Sequence, residues 1–119
     1  MNSYKELTVY QKAVELSVYI YRNTEKFPKS ELYGLTSQIR RCAVSIPSNI
    51  AEGQRRGYRT EYIQFLRIAF GSGAELETQL SIAFKVGYLD KENFKVLNEK
   101  LEEIMKMLNK LISVLLKSK

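Results

Sequence analysis

Chemistry in this chain rests on arginines and a few carboxylates. Arg40, Arg41, Arg55, Arg56, Arg59 and Arg67 are six of the seven arginines, and they fall within 28 residues. Between Leu35 and Ala74 the only acids are Glu52 and Glu61. Arginine's planar fork makes paired hydrogen bonds to phosphate oxygens. Tyr58 lies among them and offers a ring that can stack on a base. The same arginines equally fit a solvated surface, or internal salt bridges to Glu52, Glu61 and Glu75. The sequence weighs the two readings evenly. Catalysis is harder to find. Glu52 with Glu75 and Glu77 suggests a paired-carboxylate site, but carboxylate di-metal bundles also use Glu-x-x-His motifs. This chain has no histidine and one cysteine, Cys42. That leaves no zinc set, no Cys–His nucleophile pair and no disulfide within the chain. GSGAELE at Gly71 lacks the Lys-Ser/Thr of a phosphate loop and follows no strand. The expectation is a protein that is not an enzyme and carries no metal or cofactor.

Length and composition suit one globular domain over 1–119. Hydrophobic residues make up 45% and charged residues 27%, which argues against disorder. There are 19 Lys and Arg against 13 Asp and Glu, so the net charge is +6. A basic balance favours an acidic partner, with nucleic acid first and an anionic membrane second. The opening MNSYKELTVYQK lacks the apolar core of a signal peptide, and no apolar run is long enough to span a bilayer. The reading is a cytoplasmic protein with no membrane partner.

The elements that must position these residues read as four helices. The first runs from near Ser3 or Leu7 to about Lys26, with Val9, Ala13, Leu16 and Ile20 on one stripe. Phe27-Pro28 ends it, because the residue before proline avoids helical geometry. The second begins at about Leu35. Its core face carries Leu35, Ile39, Cys42, Ala43, Ile46, Ile50, Gly53 and Gly57. Pro47 removes a backbone donor, so a kink is expected there, and the carbonyl near Ala43 needs another partner. Ser45, Ser48 and Asn49 are near enough to serve that backbone, and Ser45, Asn49, Glu52 and Glu75 form a candidate structural polar cluster. The back of this helix, Ser37, Val44, Ser48 and Ala51, is small and partly apolar. A second apolar face suggests contact with another subunit.

Gly53–Arg59 is the expected break before the third helix, which runs from about Thr60 to Val86. Gly71 and Gly73 lie inside it and cost about 1 kcal/mol each relative to alanine, so close approach of another backbone is expected there. Gly87 suits the end of that helix and Asp90 the start of the fourth. In the fourth, Phe94, Leu97, Leu101, Ile104, Leu108, Leu111 and Leu115 repeat three and four apart. That spacing is the seam of left-handed bundle packing. The fold class is all-α: an antiparallel, up-down-up-down four-helix bundle with its second helix kinked at Pro47.

The string YGLTSQIRRCAVSIPSNIAEG, with EYIQFLRIAFGSGAELETQL and VGYLD after it, resembles the four-helix-bundle proteins encoded in intervening sequences of bacterial 23S rRNA genes. The likeness spans nearly the whole chain, from LTVYQKAVEL onward. Three positions depart from it: Tyr10 where tryptophan is frequent, Cys42 where alanine is usual, and Tyr58 where a capping serine is common. The resemblance implies a ring-like homopentamer. It also implies kinship with the accessory protein of diversity-generating retroelements, a basic pentameric barrel that engages nucleic acid and a reverse transcriptase. On that basis the arginine-rich region is a nucleic-acid contact, RNA or DNA. The alternative is a protein-interaction scaffold or accessory subunit of a nucleic-acid enzyme such as a reverse transcriptase. No catalytic residues are implied.

Overall fold

Pro28 and three glycine-containing turns divide the chain into long helices. The computed structural model describes residues 3–118. A 3-10 turn at Tyr4–Glu6 opens it, where the Ser3 hydroxyl accepts the Lys5 N–H at 3.1 Å. The four helices are α1 (Thr8–Thr24), α2 (Leu35–Arg55), α3 (Arg59–Lys85) and α4 (Lys91–Lys117). No strand occurs among the described residues.

Each boundary has a local cause. After Phe27-Pro28 a 3-10 turn at Lys29–Glu31 leads to α2. Gly34 offers α2 no capping side chain, and Glu31 Oε1 instead accepts the Leu35 N–H at 3.0 Å. α2 continues past Gly53 to Arg55, so the break lies later than Gly53. Gly57, at φ 81°, supplies the left-handed residue of the turn. Tyr58 sits at the N-cap of α3 with no side-chain hydrogen bond, where a serine would have provided one. At the end of α3, Gly87 is at φ 88° and the Tyr88 N–H reaches back to the Ala83 carbonyl at 2.8 Å. This is the hydrogen-bond pattern of a glycine-terminated helix. Asp90 Oδ1 then accepts the Asn93 N–H at 2.7 Å and starts α4.

The helices pack α1 on α2, α2 on α3 and α3 on α4, and α4 closes on α1. The result is a four-helix bundle of 48 × 23 × 20 Å. Ion pairs Lys12–Glu103 and Glu15–Lys100 run in opposite senses along α1 and α4. Contacts Cys42–Gln79 and Ser45–Ser72 do the same along α2 and α3. Every helix feeds one core. Leu16 and Ile20, Ile39, Ile46 and Ile50, Leu66, Leu76 and Leu80, and Leu97, Leu101, Ile104 and Leu108 are all under 2% exposed. Each such side chain contributes roughly 1.5–3 kcal/mol of transfer free energy, set against the chain entropy lost on folding.

Pro47 lies inside α2, which is unbroken through it. Without its N–H, the Ala43 carbonyl one turn earlier loses its helical donor. The replacement comes from another helix: the buried Ser17 hydroxyl on α1 donates to Ala43 O at 3.1 Å. Asn49 Nδ2 donates to the Ser45 carbonyl at 2.8 Å and to Ser45 Oγ at 2.9 Å. Ser45 Oγ in turn lies 2.8 Å from Ser72 Oγ on α3. Ser48 is exposed and takes no part. The glycines of α3 differ from each other. A Cβ on Gly73 would meet Met105 Sδ at 2.2 Å, so a side chain, not a backbone, occupies that space, whereas at Gly71 nothing lies within 4 Å. At Gly53 α2 comes close to α3: a Cβ there would sit 2.6 Å from Phe65 Cβ.

Candidate nucleic-acid interface

The bundle separates the six arginines. Arg41 and Arg55 are fourteen residues apart on α2, about 21 Å along its axis. Arg40 is held at the α1 side, its Nε donating to Thr24 Oγ1 at 2.9 Å and its guanidinium 4.7 Å from the Tyr21 ring centre. Arg56 is held at the α2–α3 turn. Its Nη2 meets Glu52 Oε2 at 2.9 Å, its Nη1 lies 3.6 Å from Glu61, and it stands 5.0 Å over Phe65. These two are engaged within the chain. Arg41, Arg55 and Arg67 are exposed and make no ion pair among the described residues. Tyr58 is 71% exposed beside Arg55 and Arg59.

Arg59 and Arg67 come together beside α4, a pairing the sequence does not indicate. They are eight residues apart on α3, about 12 Å along the axis and near one face of it. Beside them runs α4, and the two helices flank a continuous groove. One part, about 370 Å³, is lined by Arg59, Thr60, Ile63, Gln64, Arg67, Leu115 and Leu116. The next, about 430 Å³, is lined by Arg67, Phe70, Asn109, Ile112, Ser113, Leu116 and Lys117. Among the described residues three cations line it and no acid does. Arg59 Nη1 also donates to the Ser118 carbonyl, tying the start of α3 to the end of α4. Asn109, Ser113 and Lys117 are exposed positions of α4. Their four-residue spacing is the sequence signal that they share a face.

The remaining candidates have other surroundings. Ser45 and Asn49 are joined with Ser72, while Glu52 is exposed on Arg56 and Glu75 is exposed with no ion pair among the described residues. Val44, Ser48 and Ala51 line a second groove of about 330 Å³ together with Pro47 and, from α1, Tyr10, Val14 and Ser17. Ser37 is half-buried nearer the start of α2 and is not part of that lining. Val14, Val18, Tyr21 and Val44 are 38–45% exposed, so the apolar surface spans both helices. Cys42 is half-buried beside Gln79, and burial pushes its thiol up, with the Gln79 hydrogen bond opposing. A thiol so protonated is a poor nucleophile. Among the described residues no three His, Cys, Asp or Glu side chains are grouped to hold a metal ion. No helix among them is long and apolar enough to cross a membrane.

Comparison with known proteins bears on the whole bundle. The profile of the 23S rRNA-intervening sequence protein family matches residues 5–110. The chain belongs to that family. Within it, the chain is similar to a solved structure from Bacteroides thetaiotaomicron, titled as a protein of unknown function from the S23 ribosomal protein family. That chain is 27% identical, the alignment covers 88% of this chain and 95% of the other, and the TM-score is 0.81. No curated protein matches the sequence. The 23S rRNA-intervening sequence protein match spans α1 to α3 and most of α4, so it takes in most of the α3–α4 groove; Ile112, Ser113, Leu115, Leu116 and Lys117 lie beyond its last matched residue.

Proposed function

We propose that this protein is a non-enzymatic, cytoplasmic bundle that assembles with copies of itself and binds nucleic acid. The observation that carries the reading is the α3–α4 groove, in which Arg59, Arg67 and Lys117 stand without an acid among the described residues of the lining. Arg55 and Tyr58, exposed at the adjoining turn, extend that surface. Phosphates bound there release counterions, so affinity falls with salt. The assembly is a ring-like pentamer, as the family resemblance implies, and the α1–α2 groove with its half-exposed valines is the contact between copies. Fluorescence anisotropy with labelled structured RNA and duplex DNA at low salt tests the binding. Saturable binding that weakens on Arg55→Ala, Arg59→Ala and Arg67→Ala is the expected result, and no binding to either probe overturns it.

A second reading is favoured by the exposed apolar face of α1 and α2. In it, the protein is an accessory subunit whose face docks on a nucleic-acid enzyme such as a reverse transcriptase. The two readings part on the purified protein alone: self-assembly in light scattering supports the first, and a strict monomer supports the second.

A further inference from the structure

The α3–α4 groove is more than a basic strip. Phosphate backbones are bound well by exposed lysines and arginines on a flat or convex surface. Here the lining joins two cations, Arg67 on α3 and Lys117 on α4, to an apolar patch of buried Ile112, half-buried Phe70 and exposed Leu116. Asn109 and Ser113 add a carboxamide and a hydroxyl to the same lining. At about 430 Å³ this part of the groove falls within the size of small-ligand sites. A duplex presents phosphates and keeps its bases stacked inside, so it has nothing to lay on that patch. An unpaired base has an apolar face for Phe70 and Leu116 and polar edges for Asn109 and Ser113. Arg59 and Arg67 extend along about 12 Å of α3, roughly three stacked nucleotides.

We propose that this groove takes single-stranded nucleic acid, with a base seated on the Phe70–Ile112–Leu116 patch and the flanking phosphates on Arg67, Lys117 and Arg59. The proposal rests on the reading of the protein as a nucleic-acid binder and adds the strandedness of its ligand and the seat of the base. Ser113 is exposed, so Ser113→Trp fills the groove while leaving all three cations and the bundle core in place.

The test measures anisotropy of a labelled 12-nucleotide single-stranded RNA and of the same sequence as a duplex, on wild type, Ser113→Trp, Asn109→Ala and the Arg59→Ala/Arg67→Ala pair. Circular dichroism and light scattering accompany each variant. Stacking one base should favour the single strand by about tenfold or more. Ser113→Trp should remove that preference, Asn109→Ala should reduce it, and the arginine pair should weaken both probes. Equal affinity for the two probes, unchanged by Ser113→Trp but weakened by the arginine pair, overturns the base seat and leaves nucleic-acid binding standing. Absence of any binding overturns both. Loss of self-assembly in Ser113→Trp, with RNA affinity unchanged, assigns the groove to contact between copies and overturns the proposal.

Discussion

Ser17→Ala removes the hydroxyl that donates to Ala43 O at 3.1 Å. Both residues are buried, and Pro47 has no N–H to take over. The carbonyl is left without that donor, which costs about 1–3 kcal/mol. For a chain of this length that corresponds to a fall in Tm of roughly 4–12 °C. The same hydroxyl also lies 3.1 Å from the Ala13 carbonyl, but that carbonyl is within an ordinary helix and keeps its backbone partner. The cause is isolated by a double-mutant cycle with Pro47→Ala. Alanine at 47 restores an N–H to the helix, so Ser17→Ala should cost much less there, with a coupling of about 1 kcal/mol or more. Urea unfolding followed at 222 nm, at one protein concentration so that assembly does not confound it, gives all four free energies. Additive effects of the two substitutions would refute the account of how α2 tolerates its proline.

The glycines give opposite outcomes. Gly71→Ala meets nothing within 4 Å and should raise stability by up to about 1 kcal/mol, whereas Gly53→Ala drives a methyl into Phe65 and should cost about 1–3 kcal/mol. Urea midpoints check both, and a destabilised Gly71→Ala would show that another surface packs there. Val44→Glu with Ala51→Glu should yield a folded, smaller species in light scattering, while an unchanged mass would remove the α1–α2 groove from the assembly. Tyr88 donates to Glu31 Oε2 at 3.0 Å, and that bond, with burial and the Glu31 charge, raises its phenol above the ordinary 10.0. Burial raises Tyr62 likewise. In both cases the folded pKa exceeds the unfolded one, so this stability is whole below about pH 10 and is lost as pH rises through the folded values. Stability measured from pH 8 to 11 should fall less steeply in Tyr88→Phe; an identical slope would contradict the assignment.

The elements themselves were legible because their signals are local. The heptad from Phe94 to Leu115, the Asp90 cap and the Gly87 terminus each depend on neighbours within one or two turns, and all three have the expected geometry. The core stripe of α2 was legible for the same reason at Ile39, Ala43, Ile46 and Ile50. Partners across helices were not. Ser17 meets Ala43 across 26 positions of sequence, and Arg40 meets Thr24 across 16. Nothing near Pro47 in the chain announces a donor on α1. Of the local candidates, Asn49 serves the Ser45 carbonyl and hydroxyl and Ser45 meets Ser72, but neither reaches the Ala43 carbonyl. The fold divides the arginine cluster: Arg59 and Arg67 line one groove, while Arg40 is held at α1. Helical rise separates its two ends, and Glu52 and Glu61 claim Arg56. The groove escaped because half of it is α4, whose outer positions read as a solvated face until α3 is laid beside them.

The most direct test of the central claim is the salt dependence of RNA binding in wild type and in a variant with Arg59→Ala, Arg67→Ala and Lys117→Ala together. Each phosphate contact contributes about −0.7 to −0.9 to the slope of log affinity against log salt. The account predicts a linear decline in the wild type and a slope shallower by about two or more in the variant, with its helicity and mass unchanged. Equal slopes in the two proteins would contradict it.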